Sequence, residues 1–225
     1  MNKAAPLILA SASLRRKEIL EAHGFTPIVI PSDAYETLPT GMSFTPEQTT
    51  VYLAELKAKT VLDTLDPDDW PDGCRILGVD TIVFKDRIIG KPVDEADALD
   101  ILRSLRNASH EVISGVCLIH AQRENPSWLC GEKLSEDLIH PQRENPLAVQ
   151  VALTAVEKLL FHDTTTVTFD DYSDEEILAY IRANPPYDKS GSYAIQSDWG
   201  KHALEIDGDI ENVIGLPYKK LSGYL

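Results

Sequence analysis

Short apolar runs alternate along this chain with stretches whose apolar residues recur every three or four positions. That alternation confines it to layered α/β architectures. Leu7-Ile8-Leu9 is too short for a helix and suits a buried strand, whereas Val51, Ala54, Ala58, Val61, Leu62 and Leu65 keep one helical face. Between them, Thr26-Pro27-Ile28-Val29-Ile30-Pro31 predicts a short strand bounded by prolines. Thr45 and Pro46 supply the cap and first residue of the helix that follows. Residues 75–84 predict an apolar strand broken by one carboxylate, Asp80, with a turn at Lys85-Asp86. Asp94 caps a helix carrying Leu99, Leu102 and Leu105, and residues 112–119 and 164–169 predict further strands. Ser173 and Glu176 form a capping box for a helix ending at Asn184-Pro185-Pro186. A hairpin turning at Asp207-Gly208 and a proline-started segment from Pro217 complete the chain. Hairpins among the crossovers make the predicted sheet mixed.

With 225 residues, 43% of them hydrophobic, the chain has material for one sizeable core and a length that admits one domain or two. One segment breaks the regular order. Leu118-Ile119-His120-Ala121-Gln122-Arg123-Glu124-Asn125-Pro126 recurs, one residue changed, as Leu138 to Pro146 with a period of 20. Two copies do not make a solenoid, so residues 120–158 or so are read as an insertion holding a duplicated segment. Cys117, His120, Cys130 and His140 lack the paired spacing of a zinc site, which favours a plain surface loop.

The net charge of −15 repels polyanions, so neither nucleic acid nor an anionic membrane surface is an expected partner. The three cysteines are odd in number and too few for a disulfide framework. With no transmembrane-length run, and an N-terminal apolar stretch too short for a signal peptide, the expectation is a soluble cytoplasmic protein.

An acidic chain nevertheless places its densest cationic cluster, Arg15-Arg16-Lys17, near the start of its first helix, after Ser11-Ala12-Ser13. That end carries the positive pole of the helix dipole and free N–H donors, where anions are favoured and cations are not. A strand, a Ser-rich turn and a helix N-terminus also make an anion cradle, and arginines hold phosphate oxygens in bidentate fashion. On this stretch alone, a phosphate site and a solvated basic face are equally admissible. Asp80 adds weight to a site, because a carboxylate inside an apolar strand needs a cation, hydrogen bonds or a metal. Taken singly, Glu36, Lys57, Lys91, Lys189 and Gln196 read as surface groups. Together with the cradle they suggest phosphate chemistry assisted by a divalent metal.

The ordered set of motifs resembles the Maf (septum-formation) family of nucleoside triphosphate pyrophosphatases. It comprises Leu9-Ala10-Ser11-Ala12-Ser13-Leu14-Arg15-Arg16, Leu53-Ala54-Glu55-Leu56-Lys57-Ala58, Gly78-Val79-Asp80-Thr81-Ile82-Val83 and Gly90-Lys91-Pro92. Further on come Asp188-Lys189-Ser190-Gly191-Ser192-Tyr193-Ala194-Ile195-Gln196 and Gly208-Asp209-Ile210-Glu211-Asn212-Val213-Ile214-Gly215-Leu216-Pro217. The resemblance covers residues 7–119 and 159–217. It implies a single domain over residues 1–225, with a mixed twisted α/β sheet, similar to inosine triphosphatases, helices on both faces and a central cleft. It also implies hydrolysis of a nucleoside triphosphate to monophosphate and pyrophosphate with Mg²⁺ or Mn²⁺. Asp80 matches the proposed base and Glu36 a metal-binding acid, with Asp80 sharing the metal. Arg15, Thr81 and Gln196 match positions tied to base choice in the branch acting on dTTP and UTP. Arg16, Lys57, Lys91 and Lys189 match phosphate-handling positions, beside the hydroxyls of Ser11 and Ser13. The chain departs from the family pattern at Leu14, Tyr35, Ala194 and Ser197. The other expectations weighed are a pyrophosphatase for noncanonical purines such as inosine triphosphate, and a nucleotide-binding division regulator without turnover. A homodimer is left open.

Overall fold

A computed structural model describes residues 5–41, 43–70, 72–123 and 153–225. Its elements run β1 (Leu7–Leu9), α1 (Leu14–Ala22), β2 (Ile28–Val29), α2 (Pro46–Thr64), β3 (Cys74–Lys85), β4 (Arg87–Ile89) and α3 (Glu95–Leu105). Then come β5 (Ser109–Arg123), β6 (Leu153–Phe169), α4 (Asp174–Ala183), β7 (Ala203–Asp207), α5 (Ile210–Ile214) and α6 (Tyr218–Leu221). Among the described residues seven strands form one mixed sheet in the order β2-β1-β3-β5-β6-β7, with β4 hydrogen-bonded to β3. β1 lies parallel to β2 and β3, and the other pairings are antiparallel.

The local signals place the helices. Thr45 accepts from Gln48 N–H while the Gln48 side chain returns to Thr45 N–H, and Ser173 and Glu176 do the same for α4. Asp94 accepts from Asp97 N–H at the start of α3. The two-residue period of β3 then sorts side chains to opposite faces. Ile76 packs with Ala54, Ala58 and Val61 of α2, and Leu77 and Val79 pack with Ile19 and Leu20 of α1. α3 and α4 close a third cluster around Phe169, Tyr172 and Trp199. The sheet thus carries helices on both faces, as the family resemblance implies.

Two glycines set how closely α2 approaches. A Cβ on Gly78 would lie 2.1 Å from the Ala54 carbonyl oxygen, and one on Gly115 2.2 Å from the Thr50 carbonyl carbon. Gly115 stands opposite Asp80 in the β3–β5 register, so the helix backbone rests on the sheet beside the carboxylate. A second feature opens the sheet at the same level. β1 pairs only with Arg75, Ile76 and Leu77 of β3, and β4 only with Val83, Phe84 and Lys85. Between them, residues 78–82 have a strand partner on the β5 side alone, which leaves a gap along that edge of β3 beside Asp80 and Thr81.

Four elements differ from the sequence expectation. The strands expected over 112–119 and 164–169 extend to Ser109–Arg123 and Leu153–Phe169, because each satisfies the other's backbone groups as far as Arg123 opposite Leu153. The insertion expected at 120–158 therefore gives residues at both ends to the hairpin. Residues 124–152, with Cys130, His140 and most of the duplicated segment, lie outside the described residues. The strand between prolines shrinks to Ile28–Val29 at an exposed edge. Past Gly208 the chain enters α5 rather than a returning strand, since the Asp209 side chain accepts Glu211 N–H and caps a helix.

His110 on β5 is buried against Phe169, and its Nε2 meets the Tyr193 hydroxyl at 2.8 Å. Burial, then Lys85, pulls its pKa from 6.5 down to about 4. The ring therefore stays neutral in the folded state while the unfolded state takes up a proton. Stability linked to it is complete above pH 6.5 and falls as pH drops from there to about 4, by about 3 kcal/mol in total. Urea unfolding of the protein and of His110→Gln over that window checks the point. The glutamine variant is expected to have the flatter profile.

Candidate active site

The gap beside β3 opens into a cleft of about 900 Å³ whose floor is formed by Asp80, Thr81, Ile82 and Val83. Its rim is built from the turn after β1, the start of α1, the loop after β4 and the loop from Asp188 to Gln196. Consecutive residues of β3 project to opposite faces there, so Asp80 faces α2 and Thr81 faces α1.

On the α2 side, the Lys57 ammonium lies 2.6 Å from Asp80 Oδ1 and 3.2 Å from Glu36 Oε1. Only 11–12% of the Lys57 and Asp80 side chains is exposed, so their attraction is weakly screened. The sequence allowed Lys57 to be a snorkelling surface group. Instead, α2's close seating brings it between two carboxylates contributed by a loop and a strand. That acid pair suits a hard divalent cation, since Mg²⁺ is commonly held by one or two carboxylates, with phosphate oxygens and waters completing its shell. Among the described residues no group of three or more His, Cys, Asp or Glu is arranged to hold a metal. Glu36 and Asp80 would be its holders.

On the α1 side, Arg16 is anchored through three nitrogens. Nε–H donates to the Gly215 carbonyl (2.8 Å), Nη1 to Ser11 Oγ (3.0 Å) and Nη2 to Thr81 Oγ1 (3.1 Å). Burial lowers its pKa to about 10, against the pull of Asp80, and it remains a cation at neutral pH. Ser13 caps α1 and accepts Arg16 N–H, while its own N–H donates to Ser11 Oγ. Arg15 reaches Asp188 Oδ2 at 3.2 Å, and Lys189 pairs with the other oxygen of the same carboxylate. Burial alone would raise the Asp188 pKa, but Lys189 and Arg15 together hold it below its ordinary value. Lys17 turns aside to Glu21. The cations crowded at the positive helix end are thus met from within the protein by a carbonyl, hydroxyls and carboxylates. Lys91 and Gln196 are exposed on the cleft's rim. Gly191, at φ 75°, takes a left-handed turn beside Val83 and donates its N–H to the Gly90 carbonyl, which joins the two loops.

The family model described as "Maf-like protein" matches residues 6–140 and 142–225. The chain belongs to the Maf family. A dTTP/UTP pyrophosphatase of Exiguobacterium sibiricum is 34% identical over 96% of this chain and 89% of its own length. Another of that name, from Thermococcus gammatolerans, is 36% identical over 94% and 90%. Among solved structures, a HAM1 protein from Coxiella burnetii overlays 74% of this chain and 73% of its own with a TM-score of 0.34 and 14% identity. That likeness is too slight to argue from.

In this Maf chain all eleven residues singled out from sequence line the one cleft: Ser11, Ser13, Arg15, Arg16, Glu36, Lys57, Asp80, Thr81, Lys91, Lys189 and Gln196. Sequence reasoning missed Asp188, the Gly215 carbonyl and Ser114. Asp188 stood within a quoted motif, and Ser114 is a hydroxyl inside the apolar run 112–119, a weaker version of the signal Asp80 gave. Gly215 also stood within a quoted motif, but that its backbone carbonyl accepts from Arg16 has no sequence signature.

Proposed function

We propose that this protein is a nucleotide pyrophosphatase that cleaves dTTP and UTP to the monophosphate and pyrophosphate, with Mg²⁺ or Mn²⁺. The observation that carries the reading is the division of one cleft into an acid pair, Asp80 with Glu36, and a facing set of cations, Arg15, Arg16, Lys91 and Lys189. The names of the relatives supply the base preference, and Thr81 and Gln196 are the positions expected to express it. A cytoplasmic location goes with this chemistry. Among the described residues no helix is long and apolar enough to cross a membrane.

In the reaction a water oxygen attacks the α-phosphorus, and the bond from that phosphorus to the oxygen bridging it to the β-phosphate breaks. Pyrophosphate leaves with the electron pair. Asp80 is the base that takes the water's proton. The cations hold the phosphates in line and offset charge that grows on the leaving oxygens. A divalent ion held by Asp80 and Glu36 supplies further charge stabilisation at the phosphate oxygens when bound.

Pyrophosphate release across a nucleotide panel tests the proposal. dTTP and UTP are expected to show higher kcat/KM than ATP, GTP or ITP. The margin should be at least about tenfold, because a base edge left unpaired in a polar site is strongly rejected. ITP or methylated GTP as the best substrate would overturn the pyrimidine assignment. Nucleotide binding without any release would favour a regulator that lacks turnover.

A further inference from the structure

Ser114 on β5 stands opposite Thr81 of β3 in the antiparallel register and is fully buried. A buried hydroxyl needs a partner, and among the described residues the one it has is Thr81 Oγ1, 2.9 Å away. Thr81 Oγ1 also receives Arg16 Nη2–H at 3.1 Å and lies 3.4 Å from the Gly215 carbonyl oxygen. That carbonyl accepts Arg16 Nε–H as well. Arg16, Thr81 and Gly215 therefore close a hydrogen-bonded ring joining α1, β3 and the end of α5, and Ser114 of β5 is attached to it through Thr81.

The proton inventory gives the ring a direction. Each hydroxyl has one proton to donate and two lone pairs to accept with. If Thr81 donates to Gly215, Ser114 donates to Thr81 and both protons are used. The reverse orientation leaves the Ser114 proton without an acceptor among the described residues. Gly215 is itself held, because the buried Asn212 of α5 donates to the Val112 carbonyl (3.0 Å) on the strand that carries Ser114. A guanidinium has five N–H donors, and anchoring Arg16 through three nitrogens leaves two N–H groups for the cleft it lines.

We propose, on the pyrophosphatase reading above, that Ser114 is a positioning residue for this reaction. Its hydroxyl orients Thr81, and through Thr81 it fixes the Arg16 guanidinium toward the nucleotide phosphates. Donors held rigidly where charge develops act mainly on the transition state, so the loss on removing Ser114 falls on kcat.

The test is a double-mutant cycle on the nucleotide that the wild type cleaves best. Ser114→Ala is close to isosteric and is expected to fold, with kcat lowered about fivefold and KM within about twofold. Fivefold is the factor that one neutral hydrogen bond of about 1 kcal/mol supplies. Placed on Thr81→Val, which already lacks the intermediate hydroxyl, Ser114→Ala is expected to lower kcat by less than about 1.5-fold. A full fivefold drop in both backgrounds, or a lowered melting temperature with kcat unchanged, would make Ser114 a structural residue only. Wild-type turnover combined with either result overturns this inference alone. No wild-type turnover of any nucleotide overturns the pyrophosphatase reading and the inference with it.

Discussion

Asp80→Asn is expected to lower kcat for nucleoside triphosphate cleavage by about 10²–10⁴, the usual effect of removing a general base. Asparagine keeps the shape of the side chain and can still accept from Lys57 Nζ. It cannot take the water's proton, and it removes one of the two carboxylates that converge on Lys57. Because Lys57 retains Glu36 at 3.2 Å, no cation is stranded in the low-dielectric floor of the cleft, and the variant should still melt cooperatively. Steady-state kinetics with the metal titrated to saturation, alongside a thermal melt, separate the contributions. At saturating metal the KM for nucleotide should stay within about threefold of wild type. A kcat within about fivefold of wild type would remove Asp80 from the proton transfer and leave it a partner of Lys57 only.

The largest structural effect is expected from Gly115→Ala. The added Cβ would sit 2.2–2.4 Å from the backbone of Thr50 and Val51. These atoms belong to α2 and cannot rotate away as a side-chain tip could. Either α2 lifts from the sheet or β5 buckles, and overpacking against rigid neighbours costs at least about 3 kcal/mol here, the upper part of its usual range. Lifting α2 also draws Lys57 from Asp80, so what folds should have lost activity beyond its loss of stability. Gly223→Ala, whose new Cβ meets nothing within 4 Å, serves as the control and should unfold within about 0.5 kcal/mol of wild type. Urea denaturation of both variants measures the difference. Equal midpoints would mean that α2 has room to shift, and that glycine at 115 is not what seats Lys57 on Asp80.

The chain's local signals carried far, because they rest on interactions among near neighbours. Thr45, Asp94 and Ser173 start their helices where the sequence put them, each accepting a backbone N–H three residues on. Asp80 stood out because a carboxylate in an apolar strand is costly without partners, and it lies at the floor of the cleft. The Arg15-Arg16-Lys17 cluster raised an electrostatic conflict at the positive helix end, and two of its three residues do line that cleft. What the sequence could not contain was the partner of each group. Lys57 lies 23 positions from Asp80, Arg16 65 from Thr81 and 199 from Gly215. No spacing rule reaches across such separations. Strand lengths were undecidable for the same cause, since β5 and β6 extend as far as each finds the other's backbone groups. The sequence alone determined most element types, the caps of α2, α3 and α4, and that Asp80 was too costly a carboxylate to be idle. Only the tertiary structure decided that Lys57 joins the acids, that Ser114 and Gly215 hold Arg16, and where the sheet parts to admit a ligand. Those outcomes follow from packing two helix layers onto one sheet, with close approach permitted at Gly78 and Gly115.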